Sequence, residues 1–162
     1  ALPAIDVLIY AAGFFQDGTI TEVTVDHVNE MVDVGLSGAV LVSRSLLIRH
    51  GNLAEFIAIT STSQWTPRLH EPVYTAVKAG LAAYANSLAL DPRVGKTLVV
   101  GPAGMATNFW QGTDPVAHDT TTMLDPDWVA EAILDLRDDA YSYKFAKILR
   151  QPARVEVGEV RQ

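Results

Sequence analysis

The chain predicts an α/β fold built on a parallel sheet, and three observations carry that prediction. Short apolar runs alternate with longer segments of helical period from one end of the 162 residues to the other. The first run, Asp6-Val7-Leu8-Ile9-Tyr10-Ala11-Ala12-Gly13, is continuously apolar rather than alternating, as a strand buried on both faces requires. The resulting order of strand, helix, strand, helix, strand, helix, strand is the pattern of right-handed parallel crossovers. No internal repeat or second domain is visible, and residues 1–162 are expected to form one domain.

Taken in order, Asp6 to Ala12 is the first strand, closed by Gly13. Thr24 is placed to cap a long helix from about Val25 to Arg49, with Val28, Met31, Val32, Gly35, Ala39, Val42 and Leu46 recurring at helical spacing. Gly51 and Asn52 break it. Phe56-Ile57-Ala58-Ile59 is a second buried strand that runs into the polar Thr60-Ser61-Thr62-Ser63. Pro72 precedes an alanine-rich helix from about Val73 to Leu90, ended by Asp91-Pro92 because proline disfavours helical geometry in the residue before it. Thr97-Leu98-Val99-Val100 is the third strand, closed by Gly101-Pro102-Ala103-Gly104. The polar stretch Gln111 to Thr122 reads as a mobile surface segment, Asp125-Pro126-Asp127 starts a helix to about Leu136, and Arg154 to Gly158 supplies a last strand.

Composition narrows the function classes. A chain that is 49% hydrophobic and 19% charged is expected to bury a sizeable core. A net charge of −7 opposes a phosphate-tracking nucleic-acid surface, so no nucleic acid is expected as partner. With no cysteine there is no disulfide or thiolate chemistry, and no secretory signal is seen; a cytoplasmic location is the expectation. Apolar runs such as Ala79 to Ala85 stop well short of the roughly 20 residues a bilayer demands, so no membrane association is expected. His27, His50, His70 and His118 lack paired ligand spacing, and no metal is expected.

In such a sheet, ligands bind beyond the carboxyl ends of the strands, and those ends carry Gly13, Ser61 and Pro102. Tyr74 and Lys78 are four residues apart on one helix and therefore share a face. An ammonium beside a phenol favours the phenolate, which is expected to lower the tyrosine's pKa and make it usable as an acid or base. Ser61 can donate to a carbonyl oxygen on which negative charge develops. Tyr143 and Lys147 repeat the Tyr-x3-Lys spacing, but Ala130 stands where the first pair has Ser61, and the second pair is assigned to an amphipathic surface segment. Trp110 is a candidate wall of a substrate pocket.

These residues carry a resemblance: the chain is similar to the C-terminal two-thirds of a short-chain dehydrogenase/reductase. Tyr10-Ala11-Ala12-Gly13 resembles the family's Asn-Asn-Ala-Gly segment, Ser61 its catalytic serine, and Tyr74-Thr75-Ala76-Val77-Lys78 its Tyr-x3-Lys. Pro102-Ala103-Gly104-Met105-Ala106-Thr107 resembles the segment that contacts the nicotinamide side of the cofactor. The resemblance implies a Rossmann-like, three-layer sheet truncated to about four strands, and NAD or NADP as cofactor. It implies Ser61, Tyr74 and Lys78 as catalytic residues, with Ala12, Gly13, Tyr74, Lys78, Pro102, Ala103, Gly104 and Thr107 around the cofactor. The family's glycine-rich phosphate turn precedes the first strand read here, the helix position of its catalytic asparagine is taken by Gly35, and Ala103 replaces a glycine.

Implied with it is an alcohol or carbonyl substrate. The first-strand edge, Asp6 to Ala12, is expected to be open to a complementing chain or a second copy, and the two central helices to pair in a homo-oligomer. The main expectation is an oxidoreductase of this type whose Ser-Tyr-Lys site is inactive in this chain alone, and two alternatives stand beside it: a non-catalytic oligomeric or binding module, and one half of a two-chain enzyme.

Overall fold

The computed structural model describes residues 4–110, 113 and 118–162. Five strands form one sheet in the order β1 (Val7–Tyr10), β2 (Leu53–Ile59), β3 (Val94–Pro102), β4 (Tyr143–Arg150) and β5 (Ala153–Arg161). The first four are parallel, and β5 turns back antiparallel to β4. The register Ile9 to Ile57, Ile57 to Leu98 and Val100 to Ala146 aligns the carboxyl ends of the parallel strands. One rim therefore carries the loops after Tyr10, Ile59 and Pro102.

Burial of both faces explains the unbroken apolar runs. Phe56, Ala58 and Val99 pack with Ala39, Leu47, Leu81 and Ala85 on one side of the sheet. Their strand neighbours Ile57, Leu98 and Val100 pack with Val129, Ala132 and Leu136 on the other. Three layers result, with α2 (Gly38–His50) and α3 (Pro72–Leu88) on one face and α4 (Pro126–Asp135) on the opposite one.

The long helix starts where Thr24 predicts, with the His27 N–H donating to Thr24 Oγ1 at 3.2 Å. It ends at Gly51, whose positive φ of 84° and N–H bond to the Leu47 carbonyl make a left-handed cap. Between α1 (Val25–Val32) and α2 lies a π-helical turn, Asp33–Ser37. Its wider turn shifts the phase of the helix, so that Met31, Gly35, Ala39, Ser43 and Leu47 are buried, whereas Val42 is exposed. The expected stripe through Val42 and Leu46 is thus off by one residue in its second half.

Two further corrections concern length and edge. The run from Val25 to His50 is one helix of 26 residues, long and apolar enough by composition to cross a membrane, so the expectation that every apolar segment falls short does not hold for it. Glycines and serines kept it from standing out as an apolar run. The sheet also has one strand more than expected. Tyr143 to Arg150, assigned to an amphipathic surface segment, is β4, with Tyr143, Ala146 and Ile148 buried. Lys144 is buried there too because its ammonium donates to the Leu136 carbonyl at 2.8 Å and to Asp139 at 2.7 Å. Half of the Gln111 to Thr122 stretch lies outside the described residues; Thr120–Thr122 is a short 3-10 turn capped by Asp119.

Candidate active site

A cavity of about 370 Å³ opens on the rim, within the size range of small-molecule sites. It is lined by Ser61, Tyr74, Lys78, Gly13, Pro102, Ala103, Gly104 and Thr107 among others, so residues from four separate stretches of the sequence converge on it. Of the residues singled out in the sequence, Ala12 does not line it, although its neighbours Ala11 and Gly13 do. Trp110 is part of the wall, its indole N–H donating to the Met105 carbonyl at 2.8 Å.

Each polar side chain is set by its element. Ser61 follows β2 and caps the 3-10 turn Thr62–Gln64, accepting the Ser63 N–H at 3.1 Å. Tyr74 and Lys78 sit on the buried face of α3 with Val77, Leu81 and Ala85, and Pro72 at the first turn fixes where that face begins. Lys78 Nζ donates to the Ile59 carbonyl at 3.1 Å and stands 5.6 Å from the centre of the Tyr74 ring. Phe15 packs edge-on to Tyr74 at 5.1 Å, and Phe109 and Trp110 complete an aromatic wall around it.

Electrostatics correct one expectation. Burial pushes the Tyr74 phenol well above its ordinary range; hydrogen bonding from Ser61 opposes this, Glu71 reinforces it and Arg68 opposes it. Lys78 is not among the groups that bring the phenol down, and burial lowers the lysine's own pKa to about 8. A lysine that gives up its proton near pH 8 is neutral before the raised phenol can ionise.

The sequence reasoning missed a polar cluster beside this site. Ser61 Oγ donates to Ser63 Oγ at 3.1 Å, and Ser63 Oγ donates to Glu71 Oε2 at 2.7 Å. Arg68 NH1 donates to the same carboxylate oxygen at 2.8 Å and to Ser63 Oγ at 2.6 Å. Ser63 and Glu71 are buried. No spacing rule links these residues, and the one available signal was a Glu immediately before the helix-starting Pro72.

Two glycines border the cavity, whose size is that of a small-molecule site. Gly13 borders the Lys78 ammonium, and a Cβ there would make ordinary contacts of 3.4 Å with Lys78 Nζ and 3.8 Å with the Phe109 ring. Gly104 keeps the β3 turn clear, since a Cβ would meet Met123 Sδ at 3.2 Å. At Gly35 a Cβ would overlap Val77 Cγ1, so no side chain fits where the family's asparagine stands.

The sequence model described as short chain dehydrogenase matches residues 1–116. The chain belongs to that family. It is 30% identical over 158 residues to an uncharacterized oxidoreductase of Staphylococcus saprophyticus, covering 96% of this chain and 62% of that protein. The chain therefore spans less than two thirds of the length of this curated relative. Its fold is that of the closed form of serine dehydrogenase complexed with NADP+ (TM-score 0.76, 23% identity, 100% of this chain and 73% of the other). An oxidoreductase of the short chain dehydrogenase/reductase family from Burkholderia thailandensis is similar in the same way (TM-score 0.74, 24% identity, 90% and 63%).

Proposed function

We propose that this chain carries the catalytic part of an NAD(P)-dependent oxidoreductase that interconverts an alcohol and a carbonyl. The observation that carries this reading is the convergence of Ser61, Tyr74 and Lys78 on one cavity with Gly13 and the Pro102 to Gly104 turn. The nicotinamide, when bound, is the source or acceptor of hydride. Tyr74 gives or takes the proton at the substrate oxygen. Ser61 donates to that oxygen as charge develops on it. Lys78, anchored by Ile59, keeps its remaining N–H groups for the nicotinamide ribose. Phe15, Phe109 and Trp110 exclude water from the reacting atoms. Gly13, Pro102, Ala103, Gly104 and Thr107 line the cavity where that ring would lie.

A second reading, a non-catalytic or half-enzyme module that needs another chain, is favoured by the open edge of β1, where Ile9 is 50% exposed. Titration of the purified chain with NADH and NADPH, followed by nucleotide fluorescence and calorimetry, separates the two. Saturable binding weakened about tenfold or more by Lys78→Ala is expected for the catalytic reading. No binding up to millimolar nucleotide overturns it for this chain alone.

A further inference from the structure

We propose that the substrate is an oxo or hydroxy acid, its carboxylate held by Arg68 and Arg150 while its carbonyl or hydroxyl group lies at Tyr74. The proposal rests on the reading of the cavity as an oxidoreductase site and names the substrate class that site takes.

The cavity has the opposite sign to the molecule around it. The chain as a whole carries a net charge of −7. Among the described residues, however, the cavity is lined by the cations Arg68, Lys78 and Arg150 and by a single carboxylate, Glu71. That carboxylate is already met, because Arg68 Nη1 donates to Glu71 Oε2 at 2.8 Å. Lys78 is turned to the Ile59 carbonyl. Arg150, the last residue of β4, forms an ion pair with no carboxylate among the described residues. Positive charge is therefore left over beside an aromatic wall, where an anion with a partner is favoured more than in open water.

Arg68 is prepared for a carboxylate in particular. A guanidinium has five N–H donors in a fixed plane. The two on Nη1 meet Ser63 Oγ at 2.6 Å and Glu71 Oε2 at 2.8 Å, and one on Nη2 meets Thr62 Oγ1 at 3.2 Å. What remains is the Nε–H and one N–H of Nη2, the neighbouring pair that a carboxylate takes in two parallel bonds. Three bonds hold this fork still while the side chain stays 39% exposed, so a ligand does not have to order it on binding.

Position separates this site from one for a dinucleotide's phosphates. Arg68 lies between Ser61 and Tyr74, the two residues assigned to the substrate oxygen. Arg150 ends β4, three strand spacings along the rim from β1 and its Gly13, or about 14 Å. In the reducing direction the carbonyl carbon gains hydride from the reduced nicotinamide, and its oxygen gains the Tyr74 proton. The phenolate so formed recovers a proton from water. The carboxylate is unchanged throughout; its part is to orient the carbonyl.

Binding of the acid is testable without nucleotide. In the chain labelled with 15N-tryptophan, the indole signal of Trp110 reports on the cavity it lines, and that of Trp128, on α4 across the sheet, is the control. Each is assigned by its loss in the Trp→Phe variant. The probes are pyruvate and levulinate, a short and a longer oxo acid, and their methyl esters, which keep the carbonyl and mask the charge. At least one acid is expected to shift Trp110 saturably with Trp128 unmoved, and its ester to bind about tenfold more weakly or worse. Arg68→Gln and Arg150→Gln should each weaken the acid about tenfold and move the ester by less than about twofold, whereas a merely structural role would weaken both alike. Arg68→Gln strands the buried Glu71, so if it does not fold, the double variant Arg68→Gln/Glu71→Gln decides in its place. Equal binding of acid and ester, no shift with either acid up to about 100 mM, or a loss under about threefold in either arginine variant overturns the proposal. Displacement of the acid by inorganic pyrophosphate at lower concentration, with the same dependence on both arginines, would assign them to the nucleotide and overturn it too. Failure of nucleotide binding would sink the catalytic reading while leaving this measurement intact, and acid binding that ignores both arginines would sink the acid site only.

Discussion

The Lys78 ammonium on α3 donates to the main-chain carbonyl of Ile59, the last residue of β2, across 3.1 Å. This bond ties the helix that presents Tyr74 to the strand that presents Ser61. It also holds a cation where burial disfavours its charge and brings its pKa to about 8.

The stability of the chain should therefore depend on pH through Lys78. An unfolded lysine keeps its proton to about pH 10.4, whereas folded Lys78 releases it near 8, so between those values the unfolded state binds more protons and stability rises with pH. Lys78→Met is expected to be more stable than the parent at pH 7, by about 1–2 kcal/mol after the lost bond to Ile59 is offset. Urea unfolding from pH 7 to 9.5 checks this: the gap should narrow above pH 8. Above pH 10 the raised tyrosine acts in the opposite sense, since the unfolded phenol ionises first and stability falls.

Tyr74→Phe keeps the contacts with Phe15 and Phe109 and removes the acid–base oxygen. Turnover in the complete enzyme should drop by about 10²–10⁴-fold. Nucleotide affinity should move by less than about threefold. Steady-state rates paired with fluorescence titration make the comparison; an equal loss in both would point to a packing role.

The π-helical turn presses Gly35 against Val77 of α3, and a methyl group there would overlap Val77 Cγ1. Gly35→Ala should cost about 1–3 kcal/mol from overpacking. Adding Val77→Ala should recover more than half of that loss, a coupling readable from a double-mutant cycle in urea. Additive losses would place the strain elsewhere.

At the opposite end of the sheet Glu55 is buried and accepts from Arg137 at 2.8 Å and from Tyr141 at 3.3 Å. Arg137→Ala should cost about 2–4 kcal/mol because it strands a buried carboxylate. In a Glu55→Gln background the same change should cost less than about 1 kcal/mol. Thermal or urea unfolding of the four proteins tests it.

Much of the molecule was legible along the chain. β2 and β3 announced themselves because burial on both faces demands unbroken apolar runs, and Thr24, Pro72 and Asp125 marked helix starts because unpaired N–H groups need partners or proline. β4 was not legible. Lys144 and Lys147 interrupt its apolar pattern, and Lys144 is tolerated only because the end of α4 brings the Leu136 carbonyl and Asp139 to it. The phase of the long helix was hidden for a similar reason, since a π-helical turn leaves no mark that a 3.6-residue period can read.

The sequence by itself determined the α/β class and the family, and it determined that Ser61, Tyr74 and Lys78 belong to one rim. Strand ends and a four-residue helical repeat are local geometry, and local geometry is written in local patterns. Only the tertiary structure decided how these groups behave. It buried Tyr74 under Phe15 and Phe109, turned Lys78 onto Ile59, and drew Ser63 onto Ser61 and Arg68 and Glu71 onto Ser63. Protonation depends on desolvation and on partners distant along the chain, and neither exists until the layers have packed.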